Sequence, residues 1–323
     1  MSLPFEAVAV ALSIGLCGLA SRLGVRDAPD GQRKLQAQPV ATLGGLGIAA
    51  TVLAGLVVTQ GRDPAFGLTV LTLGPALAAL SVGLIDDVRG MSARGKVVLL
   101  AVISALAVAM GLHVGGSSEA TLLMPFLLAG SALWLFVMMN AVNFVDGANG
   151  LAMGCALVQA LALGALGLPV GWLAPALVGF LAWNLLGRLY AGDTGALFVG
   201  AFLAGLGALG VREGLFTVWI PPLLALPILT DVLLTLAWRA RQGARLLEAH
   251  RDHAYQLLIR AGWPHLSVSA LWATLSAVCA GIALAAVQAG PAAERLGFLA
   301  GLVALVLLWL LQRRWLGSRL QSS

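Results

Sequence analysis

The stretch Asn140–Leu151, NAVNFVDGANGL, closes one long apolar run and opens another. Asn140, Asn143, Asp146 and Asn149 fall inside a region that otherwise reads as membrane. Amide and carboxyl groups in such a place are costly unless they face protein, water or a ligand. Asn140, Asn143 and Gly147 follow i, i+3, i+7 spacing and are expected on one helix face. Gly147 and Gly150 suit a tight turn and a close approach of backbone to ligand. Asn149 stands near the start of the next apolar run, where helix caps favour Asn. Asp146 is the residue least explained by local structure.

Composition sets the surroundings. The chain has 323 residues, 60% of them apolar and 10% charged. Soluble domains are nearer ~25% charged, so the chain is expected to be an all-α integral membrane protein, a single polytopic domain over 1–323. The net charge of +5 does not imply a nucleic-acid partner, because the basic residues have a membrane reading. The first apolar run contains Glu6 and no preceding Lys or Arg. That is a poor secretory signal and reads as a retained span. Cys17, Cys155 and Cys279 lie far apart in apolar runs and show neither disulfide nor metal spacing.

A span needs about 20 mostly apolar residues. Eleven candidates are visible, at 3–22, 42–60, 67–85, 97–112, 121–140, 150–167, 170–187, 194–211, 215–237, 267–288 and 295–313. With that count, sixteen Lys and Arg fall on one side and only Arg62, Arg212 and Arg295 on the other. Positive residues mark the cytoplasmic side. The N-terminus is therefore expected outside and the C-terminus in the cytoplasm, with a long cytoplasmic loop at 239–265.

The polar groups collect on that same side. Asp86 and Asp87 end the third span, beside Arg89 and Arg94. Paired carboxylates at a helix end can hold a hard cation together with substrate phosphates, or can simply mark the membrane edge. Asp193 and Thr194, in GDTG, open the eighth span after Tyr190. They read either as caps or as an anion site at a helix N-terminus. AHRDHAYQ, 249–256, places His250, Arg251 and His253 in the most basic loop, where they can grip a diphosphate by charge-assisted hydrogen bonds. Asp231 lies within the ninth span. An acid there suggests function by default, but a hydrogen bond to Thr230 or Thr235 is the favoured reading.

These motifs, in this order, resemble the polyprenyl-phosphate N-acetylhexosamine-1-phosphate transferases, the membrane enzymes that initiate O-antigen, common-antigen and teichoic acid synthesis. The resemblance runs from about Gly24 to Gln256. It implies a multi-pass enzyme of the inner (plasma) membrane with a cytoplasmic active site, Mg²⁺ (with Mn²⁺ as the alternative cation), a UDP-sugar donor and a polyprenyl (undecaprenyl) phosphate acceptor. By resemblance, Asp86, Asp87, Asp146 and His253 are the catalytic set, and Asp193 with Asp87 the metal set. Lys34, Asn143, Asn184, Tyr190, Arg251 and His250 are the substrate-binding set, with Tyr190 against the uracil. Gln36 stands where the family often has His, and Ala196 where it often has Ser. The AHRDHAYQ form looks like the subgroup that handles N-acetylfucosamine or N-acetylquinovosamine donors. A homodimer is an allowed assembly. The rival reading is a transporter, whose site would lie near the midplane on related repeats; no repeat is visible here.

Overall fold

The computed structural model describes residues 5–27, 39–59, 66–115, 123–248 and 250–320. Among them the chain is a bundle of α-helices with one small β ribbon. The helices are α1 (Phe5–Ala20), α2 (Gly44–Thr59), α3 (Phe66–Arg89), α4 (Ala93–Ala109), α5 (Met124–Val145), α6 (Leu151–Ala165) and α7 (Leu173–Asn184). They continue as α8 (Gly192–Arg212), α9 (Ile220–Leu224), α10 (Leu226–Arg241), α11 (Ala254–Arg260), α12 (His265–Ala289) and α13 (Pro291–Leu320). By length and composition five segments are able to cross a membrane: Val70–Arg89, Met124–Val145, Gly192–Arg212, His265–Ala289 and Pro291–Leu316. Shorter apolar helices are Phe5–Ala20, Gly44–Val58, Leu151–Ala165 and Leu173–Asn184.

α8 is the axis of the bundle. Every residue from Thr194 to Gly210 is buried, and the helix packs against α2, α3, α5 and α6. Small residues make this packing close. A Cβ on Gly45 would run into the backbone nitrogen of Gly195, and one on Gly83 into the carbonyl carbon of Asp193. A Cβ on Gly200 would sit 2.9 Å from the carbonyl oxygen of Met138. Lipid supplies no hydrophobic drive for helices to associate, so backbone approach through small residues and the dispersion it brings must hold them.

Helix direction sorts the polar groups to two ends. Arg212, at the last turn of α8, donates from Nη1 to the carbonyl of Gly111 just beyond α4 (2.7 Å). At that same end Glu294 accepts from the Thr217 amide (2.7 Å) and hydroxyl (2.5 Å). The opposite end gathers the starts of α4, α6, α8 and α11 and the ends of α3, α5, α10 and α13. There β1 (Arg26–Asp27) pairs antiparallel with β2 (Val40–Ala41), and Leu189 joins Ala41 in a parallel bridge. This ribbon is the departure from an all-α chain. Leu43, which follows it, is buried with φ 82°. That backbone region costs a non-glycine residue roughly 1–2 kcal/mol.

Each predicted apolar run except one falls on a single helix. The run 215–237 is interrupted at Ala225, between α9 and α10. Pro227 has no N–H to return to Leu223, so the ladder breaks where the proline stands. The predicted loop 239–265 also differs: it contains α11.

Candidate active site

The end of α3 and the start of α8 meet through Asp87. Its Oδ1 accepts from the Asp193 amide (3.1 Å). Its Oδ2 accepts from the Thr194 amide (3.0 Å) and hydroxyl (2.6 Å). The first amides of a helix have no partner within it and carry the positive end of its dipole. Asp87 therefore caps α8 from a neighbouring helix. Ala191, the residue that precedes α8, contributes no side-chain cap. Gly192 has φ 68°, and a Cβ there would press on Asp87 and Thr42. Neither Asp193 nor Thr194 acts as the side-chain cap, and Asp87, expected as a metal ligand, turns both oxygens toward α8.

Asp86 takes the other direction. Lys96, in the first turn of α4, forms ion pairs with both Asp86 and Asp193. One ammonium thus joins the ends of α3, α4 and α8. A cation in the first turn of a helix opposes the dipole, so carboxylates are needed to hold it there. That was the readable signal for Lys96, which counted in the sequence only toward the charge asymmetry. Ser92 caps the same helix, accepting from the Gly95 amide (3.1 Å).

Asp146 lies just past α5, its amide donating to the Asn143 carbonyl (3.3 Å). Burial pushes its carboxyl well above the usual range, and the charges of Asp193 and Asp87 push it further. The central stretch thus faces the α3–α8 junction. Its other residues divide. Asn140 donates back to the Phe136 carbonyl (2.8 Å), and Asn143 is half-buried in the last turn of α5. Gly147 lies beyond the helix, so the expected shared face stops at Asn143. A Cβ on Gly147 would strike the Tyr255 hydroxyl. Asn149 is not the cap of α6. Gly150 holds that position with φ 83°, while the Asn149 carbonyl accepts from Ser269 (2.7 Å).

Asn184, expected to bind substrate, is buried, and its amide is engaged by backbone. Its Oδ1 accepts from the Gly150 amide (2.6 Å) and its Nδ2 donates to the Leu189 carbonyl (2.9 Å). It pins the start of α6 to the turn before α8. Tyr190 is half-buried in that turn, its amide bonded to the Ala41 carbonyl (2.8 Å). Burial raises its phenol to about 12, with Asp27 and Asp146 adding to the rise. Lys34 lies outside the described residues.

The late loop closes onto the central stretch. Tyr255 donates from its hydroxyl to the Phe144 carbonyl (3.1 Å). The His253 ring, 3% exposed, has its centroid 6.0 Å from those of Phe144 and Tyr255 and 4.9 Å from that of His250. Burial lowers the His250 imidazole to about 4, helped by His253 and Arg239, so it is neutral at pH 7. Arg251 is half-buried beside it. Asp252 forms an ion pair with Arg239 of α10.

Among the described residues no three His, Cys, Asp or Glu side chains converge as a metal cluster. A two-carboxylate site suits Mg²⁺, which keeps several waters and uses one or two carboxylates plus substrate phosphates. Asp86 and Asp193 already share one positive charge, that of Lys96. The oxygen donors present therefore fit such an ion.

The same residues carry the kinship of the chain. The family model described as Glycosyl transferase family 4 matches residues 68–211, which hold Asp86, Asp87, Lys96, Asp146 and Asp193. Over that stretch the chain is similar to this family. A Bacillus subtilis protein named as a probable undecaprenyl-phosphate N-acetylglucosaminyl 1-phosphate transferase is 29% identical over 265 residues, covering 76% of this chain and 73% of that protein. The decaprenyl-phosphate N-acetylglucosaminephosphotransferase of Mycobacterium tuberculosis is 28% identical over 296 residues, covering 77% and 72%. The phospho-N-acetylmuramoyl-pentapeptide-transferase of Mycolicibacterium vanbaalenii is 28% identical over 352 residues, covering 86% and 94%. With its apolar helices, the chain is a multi-pass membrane protein.

Proposed function

We propose that the chain transfers a sugar-1-phosphate of the N-acetylhexosamine type from a UDP-sugar to polyprenyl phosphate, releasing UMP, as a first step in cell-envelope polysaccharide synthesis. The observation that carries this reading is the convergence of Asp86, Asp193 and Lys96, with Asp146 and the late loop beside them, at one end of the bundle. The names of the relatives support the lipid acceptor and the sugar-phosphate transfer. The excess of Lys and Arg supports a cytoplasmic site, where the nucleotide sugar is found.

An acceptor phosphate oxygen forms a bond to the sugar-bearing phosphorus of the donor, and the bond from that phosphorus to UMP breaks. The acceptor phosphate has a second pKa of about 6, so it is mostly dianionic at neutral pH and needs no strong base. The main obstacle is the approach of two anions. Asp193 and Asp86 would hold the Mg²⁺, which neutralises diphosphate charge when bound. Lys96 lies within reach of the same oxygens and offers its ammonium to a phosphate. Asp87 keeps the α8 N-terminus, and with it Asp193, in place. Arg251 and His253 supply donors from the late loop, and Tyr190 offers a ring to the uracil. An apolar cavity of about 420 Å³, lined by Leu133, Trp134, Leu229, Leu233 and Phe298, gives a prenyl chain a wall beside α10.

Purified protein with Mg²⁺, polyprenyl phosphate and a panel of UDP-sugars is expected to release UMP. Asp193→Asn should lose at least ~10²-fold while the protein stays folded at the assay temperature. Full activity in EDTA or in Asp193→Asn overturns the metal assignment. No UMP from any donor, with the lipid recovered unchanged, overturns the function. The panel includes N-acetylglucosamine, N-acetylfucosamine and N-acetylquinovosamine donors. The AHRDHAYQ segment supports the two deoxy sugars, and the names of the relatives support the first.

A further inference from the structure

Asp231 lies in α10 and is 2% exposed. The phosphotransfer proposed above gives it no task. Its Oδ1 accepts from the Ala254 amide (2.6 Å) and its Oδ2 from the Tyr255 amide (3.2 Å). Thr235, one turn along α10, donates its hydroxyl to Oδ1 (3.3 Å). The Nδ1 of His253 is 3.6 Å from the same oxygen. Among the described residues, the hydrogen-bond donors that reach this carboxylate from outside α10 are the amides of Ala254 and Tyr255, with the His253 ring beside them.

Those residues start α11, which is only seven residues long. A helix that short does not stand alone in water, and its first amides lack internal partners. Asp231 satisfies two of them. The turn is held elsewhere as well. Gln312 donates to the Ala254 carbonyl (2.7 Å). Arg313 donates to the Asp252 carbonyl while its guanidinium lies 4.0 Å from the Trp238 ring and 4.5 Å from the Trp309 ring. Tyr255 ties the far side to Phe144 (3.1 Å).

We infer that Asp231 is a positioning residue for the transfer: its carboxylate fixes the first turn of α11 and so holds His253 against the Asn140–Leu151 stretch. This rests on the function proposed above. An acid that served packing alone would act on the whole protein. One that acts through α11 must act through His253.

Asp231→Asn keeps the shape but turns one acceptor into an NH₂ that opposes a backbone N–H. Hydrogen exchange on the purified full chain should quicken over 253–260 and stay unchanged in α8. The kcat for UMP release should fall ~10–10²-fold, with the donor KM within about twofold. In a His253→Ala background the same change should cost nothing further, since units that act together are not additive. Unchanged exchange overturns the inference, as does an equal loss in the His253→Ala background. If Asp231→Asn yields no folded protein, Tyr255→Phe loosens the same turn by removing its bond to Phe144, and the same dependence on His253 decides. Absence of UMP from the unmutated protein overturns the function, and the exchange result still decides whether Asp231 holds α11.

Discussion

Lys96 stands between two carboxylates that come from different helices. Its removal leaves Asp86 and Asp193 facing each other without compensation. Breaking a buried pair from one side costs about 3–5 kcal/mol, and the partial exposure of this one (16–24% for the three side chains) brings the expectation toward the lower end. Lys96→Met should therefore unfold at lower temperature in EDTA. Millimolar Mg²⁺ should restore more stability to it than to the unmutated protein, because the cation takes the vacated place. Equal Mg²⁺ effects on the two proteins would speak against a shared cation position. The carboxylates of this site were legible as residues, since an acid at a membrane helix end needs a reason. Their division of labour was not. Asp86 and Asp87 are adjacent in sequence, and only the position of α8 decides that one faces an ammonium and the other a helix N-terminus. Asn184 shows a second limit of reading residues alone. A buried Asn beside a motif reads as a ligand group, and its structural bonds to Gly150 and Leu189 cannot be foreseen from the sequence.

Among the elements, α8 depends on being reached closely. Gly45 has no room for a methyl group, because the Gly195 backbone lies where its Cβ would go. Gly45→Ala should lower stability by about 1–3 kcal/mol, the usual cost of overpacking. Gly154 in α6 has open space around its Cβ position. Gly154→Ala should be neutral or stabilising by up to about 1 kcal/mol. Thermal unfolding in detergent compares the two. The helices themselves were readable, since long apolar runs leave the backbone little else to form. Two elements were not. α11 owes its existence to Asp231, Gln312 and Tyr255 rather than to any period of its own. The break between α9 and α10 was signalled by Pro227 but hidden by continuous apolar sequence on both sides.

For the whole molecule, the expected orientation sets the site in the cytoplasm. It can be checked without any assay of activity. Arg94 is exposed at the start of α4 and Glu213 at the end of α8, and the native Cys17, Cys155 and Cys279 are buried. In right-side-out vesicles, an impermeant maleimide should label Glu213→Cys and spare Arg94→Cys until the membrane is opened. The reverse pattern would invert the orientation drawn from Lys and Arg. That expectation rests on counting charges at the ends of spans, which needs no knowledge of packing.

The central place of α8 also has a consequence in time. During synthesis, α2, α3 and α5 leave the ribosome before α8, yet each packs on it. Until residues 193–195 are made, the Asp87 carboxylate has neither of its amide donors, and Gly45 and Gly83 lack the backbone they pack on. The early helices that pack on one another, such as α1 with α2 and α4 with α5, must therefore wait for α8 to complete their inner faces. A chain released before α8 would present unfilled grooves and an uncapped acid to the quality-control machinery. Completion of one inner helix is thus the event that lets α2, α3 and α5 close on a common partner.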